Sequence, residues 1–264
     1  MSVMDNRLSV TPIVRYKNGS FRNEDDVVIS EEPLSILING GPSFFCMRLP
    51  GNDVELALGI CYGDGIISSY ADVSGMEISE GDIKTIDLII ERRKSGHNGK
   101  GKIIRSSTGS PFHEEYSKIM EKGGVCRDAL RLSAQKLFSL HEDFHGRQIL
   151  FNETGGTHAA AVYGYEGELL SFAEDVGRHN AFDKCTGRIL MDGTLENAAV
   201  AVLSSRLSYE MASKAVRLGV EVLTGVSAPT SLAVQLAEQN SLTLIGFVRG
   251  DRCNVYSRPE RMIR

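Results

Sequence analysis

An α/β fold is predicted, with a β-rich first part and a second part that alternates strand and helix. Three observations predict it. Residues 84–91 (KTIDLIIE) form an apolar, β-branched run with strand character. From residue 127 onward, short apolar runs alternate with stretches whose apolar residues recur every three or four positions. Glycine, serine and proline stand at the junctions between them, where turns and helix caps belong. The expected architecture of the second part is a largely parallel sheet covered on both faces.

The elements are read in order. Residues 1–26 are polar, and strands are expected at 27–30 and 34–39. Asn39-Gly40-Gly41-Pro42 reads as a turn into a strand at 43–48. Asn52 or Asp53 can cap a short helix carrying Leu56, Leu58 and Ile60, ended by Gly63 and Gly65. Residues 92–105 hold six basic residues, three glycines and no acid. A solvated loop is the ordinary reading of such a run, and an anion-attracting flap the functional one. Residues 106–124 continue weakly patterned, with a short helix allowed at 114–120. Leu130, Leu132, Leu137 and Phe138 predict a helix ending near His141. Residues 157–163 and 169–173 read as a hairpin, and 175–190 as a helix with Phe182, Cys185 and Ile189 on its inward face. Strands are then expected at 198–203, 220–225, 242–248 and 254–256, with helices at 208–218 and 229–239. The expected division is residues 1–105 as a β-rich N-terminal lobe, 106–126 as a long mobile loop and 127–264 as the α/β domain.

Composition narrows the function. The net charge of −5 argues against a nucleic-acid coat. No apolar run approaches the roughly 20 residues that a membrane span needs. The first 30 residues lack the apolar core of a signal peptide. No nucleic-acid partner, no membrane and a cytoplasmic location are expected. Cys46, Cys61, Cys126, Cys185 and Cys253 are widely spaced with no CxxC, so free thiols in a reducing compartment are expected and no metal site is assigned.

Chemistry concentrates in four stretches: 151–163 (FNETGGTHAAAVY), 174–184 (EDVGRHNAFDK), 204–214 (SSRLSYEMASK) and 247–256 (FVRGDRCNVY). Each falls where a strand ends or a helix begins, and in a strand–helix alternation such ends share one edge of the sheet. The candidate ligand residues are Gly156, His158, Arg178, His179, Ser205 and Arg206. Each has a bland alternative: a plain turn for Gly155-Gly156, a core histidine for His158, a polar loop for Ser204-Ser205-Arg206. Asp175 is read as a helix cap. Their recurrence at three junctions favours an anion site, since helix N-termini and arginine forks both favour negative charge. The arginines from Arg249 to Arg264 read as a phosphate clamp or as a solvated end.

These stretches, with 226–234 (VSAPTSLAV) between the last two, resemble the FdhD family, the formate dehydrogenase accessory proteins. The resemblance runs from about residue 151 to 256, and 31–40 (EEPLSILING) agrees more loosely. It implies a cytidine deaminase-like fold, a homodimer, and sulfur transfer from a cysteine desulfurase to the molybdenum cofactor destined for formate dehydrogenase. That cofactor, bis-molybdopterin guanine dinucleotide, would be bound cargo. The resemblance places the family's cofactor-binding stretch on Phe247, Val248, Arg249, Gly250, Asp251 and Arg252. The family's sulfur-carrying CxxC is missing: Ser110 stands about where its first cysteine belongs. Cys126, read as the most accessible thiol, is the candidate substitute. A cofactor-binding chaperone without sulfur transfer is the alternative that the missing CxxC favours. A zinc deaminase is excluded, because His158 is followed by Ala159-Ala160 and no P-C-x-x-C is present.

Overall fold

The structure, a computed structural model, describes residues 5–91 and 126–263. The expected loop at 92–124, its short helix and Ser110 lie outside the described residues.

The first part is built on two asparagine–glycine turns. β1 (Leu8–Lys17) and β2 (Ser20–Ile29) pair antiparallel around Asn18 (φ 52°) and Gly19 (φ 79°). β3 (Glu32–Ile38) and β4 (Gly41–Arg48) do the same around Asn39 (φ 51°) and Gly40 (φ 74°). Two successive left-handed residues give the turn twist that matches a hairpin, and asparagine–glycine accepts that conformation most readily. The β1–β2 hairpin was not expected from the sequence, where residues 1–26 read only as polar. β5 (Val73–Ser79) and β6 (Lys84–Ile90) complete a four-stranded sheet in the order β4-β3-β6-β5.

α1 (Asp53–Gly63) is apolar on nearly every side, which fits a helix buried all round. One side packs on Leu34, Ile36, Ile86 and Leu88 of that sheet. The other meets α4 (Arg178–Met191) backbone to backbone. A Cβ on Gly59 would lie 1.9 Å from Asp183 O, and one on Gly187 1.8 Å from Glu55 O. Each helix thus supplies the glycine that seats the other, and the first part is locked onto the second.

The second part is a six-stranded sheet in the order β13-β12-β11-β10-β8-β9. Its strands are β8 (His158–Tyr163), β9 (Leu169–Asp175), β10 (Val200–Leu203), β11 (Val222–Gly225), β12 (Thr243–Arg249) and β13 (Arg252–Ser257). β10, β11 and β12 pair parallel, while β8–β9, β8–β10 and β12–β13 pair antiparallel. The expectation of a largely parallel sheet is therefore corrected: a three-stranded parallel centre is closed by an antiparallel hairpin at each side. Both faces are covered, as expected. Phe182, Cys185 and Ile189 of α4 join α5 (Tyr209–Leu218) and α6 (Ser231–Gln239) on one face. Leu137, Leu140 and Phe144 of α2 (Ala134–Gly146) fill the other.

α2 starts later than the apolar pattern suggests. Ser133 caps it by accepting from Lys136 N at 3.1 Å, so Leu130 and Leu132 lie in the extended approach. The helix runs past His141 to Gly146, and a short α3 (Ile149–Thr154) follows. β7 (Leu132–Ser133) pairs with β14 (Met262–Ile263) near the C-terminus.

The clasp beside β7 rests on one buried ion pair. Arg261 Nε donates to Glu221 Oε2 at 3.1 Å, and both side chains are buried. The remaining Arg261 nitrogens reach Arg127 O, Ser241 O and Thr243 Oγ1. Glu221 accepts from Ala129 N, Leu130 N and Tyr165 OH at 3.0–3.1 Å. One pair thereby ties residues 127–130 to the starts of β11 and β12.

A titration follows from His141. It is buried in α2, with Nε2 3.0 Å from Thr224 Oγ1, and burial pushes its pKa down to about 4 from an ordinary 6.5. Between those values the unfolded chain binds the proton and the folded one does not. Stability is therefore expected to fall as pH drops from 6.5 to 4, by about 3 kcal/mol. Urea unfolding across that range checks this, and His141→Gln should flatten the dependence.

Candidate functional site: an arginine-lined sheet edge

Strand direction assembles the site. β9, β10, β11 and β12 end at the same edge at which the oppositely directed β8 and β13 begin: His158 pairs with Asp175, Leu203 with Ala160 and Gly225, Arg249 with Arg252. All four chemical stretches of the sequence meet this edge, as expected. They form a line rather than one cup, because β10 and β11 lie between β8 and β12. At about 4.8 Å per strand, β8 and β12 stand about 14 Å apart.

At the β8 end lies a cavity of about 370 Å³. Gly156, Thr157, His158, Val176, Ser204 and Val226 line it from the sheet, and His145, Gln148, Phe151 and Asn152 from the α2–α3 side. The glycine pair has structural causes. Gly155 takes φ 69° to stop α3, and a Cβ on Gly156 would press within 2.8 Å of Ile29. His158 is half-buried with Nδ1 3.3 Å from Ser204 Oγ. Burial first, then Arg178 and His179, push its pKa below the ordinary histidine value.

Asp175 is fully buried and structural, but the expectation that it caps the helix is corrected: it ends β9, and Gly177 is the N-cap of α4 with no side-chain cap bond. Asp175 accepts from Gly177 N, Asn180 Nδ2 and Leu49 N, and pairs with Lys184 at 2.8 Å. His179 turns to Glu210 instead of the first cavity, with Nε2–Oε2 at 3.1 Å. That contact holds the Glu210 carboxyl below its usual pKa. The pair lines a second cavity of about 480 Å³ with Cys46, Asp183 and Lys214.

Two sequence candidates are not presented to a ligand. Ser205 is buried, and its hydroxyl donates to Arg206 O at 3.2 Å. Its neighbour Ser204 is the serine that faces the cavity. Val248 is buried in the sheet core. On either side of it Phe247 and Arg249 are exposed, as are Gly250, Asp251 and Arg252 of the turn. Phe247 has φ 54°, a left-handed conformation that a bulky aromatic residue rarely adopts, and it falls where the β12–β13 register shifts.

The arginines give the edge its character. Arg7, Arg15, Arg48, Arg127, Arg131, Arg147, Arg188, Arg217, Arg258 and Arg261 all engage a carboxylate or a carbonyl. The guanidinium groups of Arg22, Arg178, Arg206, Arg249 and Arg252 have no hydrogen-bond or ion-pair partner among the described residues. All of these but Arg22 stand on the sheet edge, and Arg178 Nε is buried without a partner. A guanidinium without a direct partner among the described residues is available to an external anion.

The cysteines offer no activated thiol. Cys126 is corrected from accessible to buried: it is 4% exposed, its amide donates to Asn240 O at 3.1 Å, and burial lifts its pKa to about 11. Its polar neighbours in the sequence conceal a partner more than a hundred residues away. Burial lifts Cys185 and Cys46 to about 12, the latter helped by Asp175 and Asp183, and raises Cys253 too. Cys61 is fully buried. Among the described residues, no group of three or more His, Cys, Asp or Glu is placed to hold a metal ion, and no helix is long and apolar enough to cross a membrane.

An α/β chain whose sheet edge carries arginines without a direct partner among the described residues is the class that fold and site define. The sequence model of the FdhD/NarQ family matches residues 29–263. A sulfur carrier protein FdhD of Sulfolobus acidocaldarius is 38% identical over 255 residues, covering 95% of this chain and 96% of that one. That of Bacillus subtilis is 30% identical and covers 98% of each. A crystal structure from Desulfotalea psychrophila, described as a formate dehydrogenase accessory protein, superimposes with a TM-score of 0.81 at 25% identity, over 97% of this chain and 100% of that one. The chain belongs to the FdhD/NarQ family.

Proposed function

We propose that this protein is an accessory factor of formate dehydrogenase maturation that grips bis-molybdopterin guanine dinucleotide, as cargo, along the arginine-lined edge. The single observation that carries this reading is the set of four edge arginines whose guanidinium groups have no hydrogen-bond or ion-pair partner among the described residues. An elongated ligand with phosphates at separate points suits a line of cations better than one pocket does. Arg249 and Arg252 would hold one end; Arg178 and Arg206, with the cavity at His158, would hold the other. Formate dehydrogenase is the recipient in this reading. A cytoplasmic homodimer and a cytidine deaminase-like fold belong to the same proposal.

Sulfur transfer from a cysteine desulfurase is the second reading, favoured by the name of the relatives. It requires a thiolate. The described cysteines are mostly buried with raised pKa values, and Ser110 has no route to a persulfide. We therefore expect cargo binding without sulfur storage. After incubation with a desulfurase and cysteine, intact mass should show no stoichiometric adduct of about 32 Da, the mass of one added sulfur. A full adduct abolished by Cys126→Ser would restore the carrier reading.

A further inference from the structure

Ser204 extends the β8–β10 ladder by one residue, in an unusual way. Its amide donates to Ala159 O at 3.1 Å, and its hydroxyl oxygen, where a backbone carbonyl would stand, accepts from Ala159 N at 2.9 Å. That reciprocal pair fixes the position of Oγ. Its own proton still needs an acceptor. Among the described residues, the group within reach is His158 Nδ1, at 3.3 Å. If Nδ1 accepts, the imidazole proton sits on Nε2. That nitrogen has no hydrogen-bond partner among the described residues, and His158 lines the first cavity.

We propose that Ser204 is a positioning residue that holds His158 as the neutral Nε2–H tautomer, so that His158 offers the cavity an uncharged N–H donor. The ligand group it takes is then an oxygen or ring-nitrogen acceptor on the non-phosphate part of the cargo. The ligand half of this inference rests on the proposed function; the tautomer does not. The surroundings support it. Arg178 already brings positive charge beside His158, and burial disfavours another. The edge thus divides its work: arginines hold phosphate, and His158 reads a neutral acceptor. A site built around one such donor discriminates against analogues that lack the matching acceptor.

Nitrogen NMR of histidine-labelled protein near neutral pH tests the tautomer directly, with the His158 signals assigned by their loss in His158→Gln. The expected result is Nε2–H in the ligand-free protein, a shift toward Nδ1–H in Ser204→Ala, and retention of Nε2–H in Ser204→Thr. An imidazolium or an Nδ1–H tautomer in the unaltered protein would overturn the proposal, and this arm needs no serine variant to fold. For the ligand half, the probes are guanosine diphosphate and inorganic pyrophosphate. His158→Ala should weaken guanosine diphosphate by roughly 5- to 10-fold, the worth of one hydrogen bond, and leave pyrophosphate unchanged. His158→Gln should keep most of the affinity. An equal loss for both probes would make His158 a phosphate ligand and refute the division of work. Failure of the unaltered protein to bind either probe would count against the proposed function, while the tautomer result stood or fell by itself.

Discussion

Arg261→Met is expected to cost this protein about 3–5 kcal/mol, the loss typical of removing one partner from a buried ion pair. Whole domains are stable by only about 5–15 kcal/mol, so a large part of the population should be unfolded at moderate temperature. The reason lies in what is left behind. Glu221 is fully buried, and without Arg261 its charge has only the amides of Ala129 and Leu130 and the Tyr165 hydroxyl. The Arg127, Ser241 and Thr243 acceptors lose their donor at the same time. Urea unfolding measures the loss. Glu221→Gln combined with Arg261→Met should recover part of it, because the carboxamide keeps an acceptor oxygen and no charge is stranded. A loss below about 1 kcal/mol, the range of surface ion pairs, would show that the clasp is solvated.

Arg252→Ala should weaken guanosine diphosphate, a mimic of the dinucleotide end of the cargo, by roughly 10- to 150-fold. That range corresponds to a charge-assisted hydrogen bond of about 1.5–3 kcal/mol. The substitution should leave stability nearly untouched, because the exposed Arg252 side chain has no partner among the described residues. Adding Arg249→Ala should deepen the loss. Calorimetric titration reads both variants, and an unchanged affinity in Arg252→Ala would remove that arginine from the site. The contrast with Arg261 is instructive: the two lie nine residues apart, yet one is spent inside the fold and the other is held open.

The sequence showed the alternation of the second part because its strands are short apolar runs between capped helices. β10 (VAVL) and β11 (VLTG) are legible this way. Their direction is not, because an apolar run reads the same whichever way it points; β8 inserts antiparallel beside β10 through a pairing some forty residues distant. The β1–β2 hairpin was missed for another reason. Val10, Val14, Tyr16 and Phe21 are exposed, so no buried face imposes alternation, and Pro12 weakens the strand signal. Asn18-Gly19 was the signal that could have found it.

The edge itself was legible, since junction residues of an alternating sheet must gather there. What each residue does at the edge was not. Ser204 and Ser205 are adjacent and chemically alike, and only the extension of the ladder from Leu203 decides that Ser204 faces the cavity. Cys126 sits among glycine, arginine and aspartate in the chain, yet Asn240 and the Arg261 clasp bury it. Long-range partners set both outcomes, and local patterns do not carry that information.

In the proposed function the anionic cargo lies along this edge. Hydrogen–deuterium exchange with and without guanosine diphosphate tests it most directly, because it locates binding without presupposing which side chain matters. Added protection is expected in residues 155–158, 176–179, 204–206 and 247–252, with the β1–β2 hairpin and the outer β5 strand unchanged. Protection confined to the second cavity around Cys46, Glu210 and Lys214, or to the hairpin, would contradict it.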